Sequence, residues 1–157
     1  MQRILYFLIP IVLFTACKKE DKAEPQPPSR IQLLTDNYWK QTAAVWISSE
    51  RPGIIEDLYT SMEECNKDDL TRFAVDGTVM IDEGALRCEV NDPQTYVAGT
   101  WVFNSDQSII TLTDNSSSGP EVINLYIEEL TQTSLKVRIT EEVEDKIYTQ
   151  KLTYSVR

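Results

Sequence analysis

The chain has no histidine, three cysteines and 25 acidic residues against 15 basic ones. Nucleophilic catalysis by Ser or Cys normally relies on a neighbouring base, most often His, so that route has no partner here. Glycoside hydrolysis needs only two carboxylates around a bond. Catalytic acids, however, need burial to tune them, and the acids of this chain cluster in loop-like segments. Glu63, Glu64, Asp68 and Asp69 form one cluster, and Glu141, Glu142, Glu144 and Asp145 form another. Neither follows the Asp-x-Asp-x-Asp-Gly pattern of a calcium loop. Solvated acidic faces are the ordinary outcome of such runs. Cys65 and Cys88 lack Cys-x-x-Cys spacing and have no His with which to share a metal. These residue types predict a protein that is not an enzyme, with no cofactor and no metal site.

The third cysteine, Cys17, has a different setting. Gln2 and Arg3 give a weakly basic start, Ile4 to Phe14 is apolar apart from Pro10, and the small residues Thr15 and Ala16 precede Cys17. This pattern resembles the signal of a bacterial lipoprotein. It predicts a signal peptide over 1–16, cleavage before Cys17, and lipidation of the Cys17 thiol and new amine by palmitate-type acyl chains. The apolar run is short of the roughly 20 residues that span a bilayer; a single-pass anchor that is never cut is the alternative. Residues 17–30 then form the lipidated cysteine and a tether, since charged and Pro-rich sequence without large apolar side chains does not fold. Lys18-Lys19-Glu20-Asp21 resembles the surface-export signal of lipoproteins in the Gram-negative phylum rich in gut anaerobes. It reads equally as a solvated charge run. The expected location is the outer membrane, lipid-anchored, with display on the cell surface if the export signal operates. Loss of the signal takes the formal charge from −10 to −11. So acidic a body predicts no nucleic-acid partner, because phosphate binding needs clustered Lys and Arg.

The elements that must carry these residues are strands. Ile31 to Asn37 predicts a helical turn that plugs or precedes the first strand. Tyr38 to Ile47 is the first strand, with Trp39, Ala43, Val45 and Ile47 in phase on one face. Ile54 to Glu64 lacks alternation and predicts a short helix over Asp57 to Met62. Strands follow at Leu70–Ala74, Thr78–Glu83, Gly99–Phe103, Ser108–Thr113, Val122–Glu129, Ser134–Glu141 and Lys146–Val156. Alternation is plain in Leu135, Val137 and Ile139 against Lys136, Arg138 and Thr140, as in a strand with one wet face. Asp76-Gly77 is a hairpin signal. Phe103 to Ser108 repeats its design: Phe, two residues, Asp, one residue, then a hydroxyl. About eight sequential strands joined by short turns predict an all-β, up-and-down antiparallel barrel over 31–157, which leaves no exposed sheet edge.

Cysteine pairing tests this topology. An even number of cysteines beyond Cys17 in an exported chain suggests a disulfide. A turn centred on Asp76-Gly77 places Cys65 directly opposite Cys88, and a bulged turn shifts the pairing by one residue. Both registers lie within what a bridge tolerates.

Cys65-Asn66-Lys67-Asp68-Asp69-Leu70, Phe73 with Asp76-Gly77-Thr78, Gly99-Thr100-Trp101-Val102-Phe103 and the segment around Cys17 together resemble the bacterial lipocalin-like lipoproteins. The resemblance covers roughly Leu33 to Val156 and implies a small barrel on a lipid anchor. Its motifs are structural, so ligand chemistry has to be read from the aromatics. Trp39, Phe73, Trp101 and Tyr154 are candidate interior ligand contacts, each of which serves equally as core. Trp46, facing outward if Trp39 faces in, is a candidate at the entrance or a partner contact. Two functions follow: a barrel that binds a small apolar or glycan-related ligand, or a filled barrel serving as an interaction module of an envelope complex. An apolar cavity of about 300 Å³ or more with a few polar groups marks the first. A packed interior with an exposed apolar patch marks the second.

Overall fold

The structure is a computed structural model and describes residues 26–115 and 119–157. The expected signal peptide, Cys17 and the tether as far as Pro25 lie outside the described residues.

Helix α1 (Arg30–Thr35) opens with a capping box. The Ser29 hydroxyl accepts from the Gln32 amide, and the Gln32 side chain accepts from the Ser29 amide, which satisfies two of the free donors at a helix start. Nine antiparallel strands and a second short helix follow in this order: β1 (Trp39–Ser48), β2 (Ile55–Asp57), α2 (Glu64–Lys67), β3 (Leu70–Phe73), β4 (Thr78–Asp82), β5 (Thr95–Phe103), β6 (Ile109–Asp114), β7 (Glu121–Leu130), β8 (Ser134–Val143) and β9 (Lys146–Val156). From β3 to β9 each strand pairs with the next. Strand β1 closes the cylinder. It pairs with β9 from Trp39↔Val156 to Ser48↔Tyr148, and with β3 through Trp39↔Thr71 and Lys40↔Leu70. The result is the expected eight-stranded up-and-down barrel. The additional strand β2 lies on the far half of β1, where β3 does not reach.

Two local expectations are corrected. Residues 57–62 are not a helix. Ile55–Asp57 pairs with Val45–Ile47 of β1, and the Asp57 carboxylate then turns the chain by accepting from the Thr60 amide at 3.1 Å and its hydroxyl at 2.6 Å. Asp offers the backbone such a local alternative to helix. The short helix ahead of the second barrel strand is α2, further along the chain. The phase of β1 also differs. Thr42 is an extra residue between the Gln41↔Tyr154 and Ala43↔Thr153 pairs. A bulge of one residue moves every later side chain to the other face. The inner series is therefore Trp39, Gln41, Ala44, Trp46 and Ser48, not Trp39, Ala43, Val45 and Ile47. Ala44 and Ser48 are accordingly buried, and Trp46 faces inward.

The turns behave as their residues dictate. At β3–β4 the Asp76 carboxylate accepts from the Thr78 amide and hydroxyl, and Gly77 takes φ +88°, a conformation open to Gly without a steric cost. At β5–β6 Asp106 accepts from Ser108 in the same way. The β3–β4 register runs from Leu70↔Asp82 to Phe73↔Val79, the bulged-turn alternative. Cys65 and Cys88 are bonded, with Cα atoms 5.2 Å apart.

The core fills one end of the barrel. There α1 caps the strands: Leu34 is fully buried, and the buried Trp39 indole N–H donates to its carbonyl at 2.9 Å. Arg30 Nε donates to the Gln107 carbonyl in the β5–β6 turn, which ties the cap to the rim. Phe73, Trp101 and Phe103 stack edge to face beneath it, with centroids 5.8 and 5.3 Å apart.

Candidate ligand-binding cavity

Beyond that aromatic layer the barrel is not filled. A cavity of about 480 Å³ lies between β3, β4, β5, β6, β7, β8 and β9, with Phe73, Val79, Leu112, Ile123, Leu125 and Leu135 among its walls. The exposed residues Tyr96 and Asn115 lie at its mouth. Strand β5 gives the cavity its shape. Gly99 lies so close to β6 that a Cβ there would collide with the Thr113 carbonyl. Next to it, Ala98 is an extra residue opposite β4, so the pairing moves from Val79↔Gly99 to Met80↔Val97 and Ile81↔Tyr96. This bulge turns Tyr96 onto the inner face beside Ile81. A smaller space of about 270 Å³ adjoins the cavity and has Gln41, Met62, Asn66 and Asp69 in its wall. The two spaces share Thr71, Ile81, Tyr96 and Tyr154.

The electrostatics of the smaller space are one-sided. Asp69 follows α2 and enters β3, while Glu83 continues the inner series Val79, Ile81 at the end of β4, its amide bonded to the Gln94 carbonyl. Burial pushes the Asp69 carboxyl up to about 6, and the negative charges of Glu83, Asp68 and Asp82 add to the shift. Loss of hydration and neighbouring like charge both disfavour a carboxylate. Asp69 Oδ1 is buried with no hydrogen-bond partner. Glu83 is only 7% exposed, and its carboxylate has neither a hydrogen bond nor an ion pair among the described residues. Asp68 is spent differently: its Oδ2 accepts from the Ala85 and Leu86 amides at 2.6 and 3.0 Å, so it anchors the loop after β4. Burial also raises the Tyr96 phenol, helped by Glu83 and Asp69. Burial alone pushes the Tyr154 phenol up to about 12, and its hydroxyl has no partner among the described residues.

Of the five aromatics singled out in the sequence, Phe73 and Tyr154 line the cavity. Trp101 stands behind Phe73 and donates its indole N–H to the Ala74 carbonyl at 2.9 Å, holding the β3–β4 turn. Trp39 holds the helical cap. Trp46 packs against Tyr148, ring centroids 5.6 Å apart, around a gap of about 30 Å³ bordered by Ile139, Glu141 and Gln150. Glu63 comes close to Cys65 and Cys88, but sulfurs bonded to each other offer no thiolate to a metal. The sequence reading missed Asp69, Glu83 and Tyr96 as inner-face residues. Alternation continued one step past Ile81 would have placed Glu83 inside. Asp69 was concealed in an acidic run that reads as solvated, and Tyr96 lies beyond a bulge. No family model matches the chain, and no curated protein matches it.

Proposed function

We propose that the protein is a binding barrel, held on the outer membrane through lipidated Cys17, that takes up a small apolar ligand without catalysing its conversion. The cavity carries this reading. Its volume falls in the range of small-molecule sites, and its walls are apolar with a few polar groups at one side, the usual make-up of such a site. Eight-stranded barrels are either filled by side chains or hold one small ligand, and about 480 Å³ of interior space favours the second. That space also weighs against a filled interaction module, and the apolar walls favour an apolar ligand over a glycan-related one. The tether over 17–30 would give the barrel reach from the bilayer, and the absence of histidine suits a carrier better than an enzyme.

Titration of 1-octanol into the protein by calorimetry tests the binding reading. Saturable 1:1 binding is expected, and Leu112→Trp, which replaces a branched aliphatic side chain in the cavity wall with a bulky indole, should abolish it while leaving the thermal transition cooperative. Equal heats for the two proteins would refute the cavity as the binding site. Acyl labelling in cells tests the anchor: labelled fatty acid should appear on the wild-type protein and not on Cys17→Ser.

A further inference from the structure

The apolar cavity accounts for a ligand's body but leaves the adjoining space without a role. One carboxylate, Asp69 just ahead of β3, lines it, and a second, Glu83 just past the end of the neighbouring β4, is close enough for its charge to act on Asp69. Among the described residues neither has a basic partner, and the charged groups that bear on Asp69 are Glu83, Asp68 and Asp82, all acidic. A buried carboxylate is costly unless it is paired, and Asp69 Oδ1 is buried without a hydrogen-bond partner, so an arriving cation would be stabilising here. Glu83 is more than nine-tenths buried, and among the described residues neither its carboxylate nor the Tyr154 hydroxyl has a hydrogen-bond partner; Tyr154 borders both spaces. An ammonium group offers several N–H donors, enough for both carboxylates and a phenolic oxygen. A ring near the path, Tyr96, adds an aromatic face attractive to a cation.

We propose that the ligand is an amphipathic amine, its hydrocarbon part in the cavity and its ammonium group held by Asp69 and Glu83. This rests on the binding reading above and specifies the ligand's head group. The pair does not suit an anion, because the charges that bear on Asp69 and on Tyr96 are all acidic: Asp68 before β3, Asp82 and Glu83 at the end of β4, Asp92 in the loop before β5 and Asp114 on β6. A bare divalent cation would leave the adjoining apolar space unused.

The test compares three probes of one chain length, n-octylamine, 1-octanol and octanoate, by calorimetry on the full chain in lipid nanodiscs with empty discs as the blank. Octylamine should bind at least tenfold more tightly than octanol at pH 7.5, and octanoate least of all. Asp69→Asn and Glu83→Gln should each bring octylamine close to octanol while leaving octanol itself within about twofold, which also shows that the variants are folded. Lowering the pH to 5 should narrow the preference for octylamine, because Asp69 then gains a proton. Equal binding of octylamine and octanol, or a preference that survives both substitutions, would overturn the head-group proposal and leave the binding barrel standing. Saturable calcium binding that displaces octylamine and is lost in Asp69→Asn would overturn it in favour of a metal site. Failure of all three probes would overturn the binding reading itself.

Discussion

Asp69→Asn should make the protein more stable, and only above a certain pH. The carboxyl's pKa rises from its ordinary 3.8 to about 6 in the folded chain, chiefly through burial and then through the charge of Glu83. A raised pKa means that folding favours the protonated form. Its stabilising contribution is complete below 3.8 and is lost as pH climbs through about 6. At pH 7.5 the ionised group therefore weighs against folding. The shift corresponds to about 3 kcal/mol at one pKa unit per 1.36 kcal/mol. Asp69 is only partly shielded from solvent, and screening cuts this to about 1–2 kcal/mol. A neutral Asn of the same shape removes that cost. At about 3–5 °C per kcal/mol for a domain of this size, Tm should rise by roughly 3–10 °C at pH 7.5. At pH 4, where the native carboxyl is already protonated, the two proteins should melt together. Thermal scans by circular dichroism at both pH values check this. A variant that melts higher by the same margin at pH 4 would show that charge is not the cause, and no rise at pH 7.5 would show that Asp69 is hydrated in solution.

Two further perturbations probe the frame around the cavity. Replacing Cys65 and Cys88 together with Ser should cost about 3 kcal/mol, from the chain entropy released when a loop with 23 residues of sequence separation is opened; urea unfolding of oxidised wild type and variant reads it, and unchanged midpoints would deny the bridge a stabilising role. Gly99→Ala should destabilise by about 1–3 kcal/mol, since its Cβ meets the Thr113 carbonyl and the strands must move apart to admit it; it should also weaken octanol binding, and a variant with native stability would show that β5 and β6 are not in close approach.

Much of the barrel was legible from local chemistry. The β3–β4 and β5–β6 turns follow from Asp, Gly and hydroxyl residues whose hydrogen bonds close within two residues. The inner faces of β7 and β8 follow from alternation, and Leu125, Leu135 and Val137 are buried as their phase requires. The disulfide was also within reach, since a hairpin turn sets what lies opposite what. The helix expected at 57–62 failed for a different reason: the strand that ends at Asp57 is set by an edge that β1 leaves open, and the Asp57 carboxylate then turns the chain.

What the sequence alone determined is thus a set of strands, turns and cysteines arranged as a barrel, together with the lack of a histidine base. Each depends on residues near one another in the chain or on simple pairing across a turn. Tertiary structure decided which side chains see the interior. The bulge at Thr42 turned Trp46 inward, and the bulge at Ala98 turned Tyr96 inward, because a single unpaired residue reverses all that follow it. It also decided that the barrel is hollow, which depends on how seven strands close around side chains too small to fill the space. And it took Asp69 from an apparently solvated acidic run and set it beside Glu83, just past the end of β4, where loss of hydration rather than residue type governs its charge.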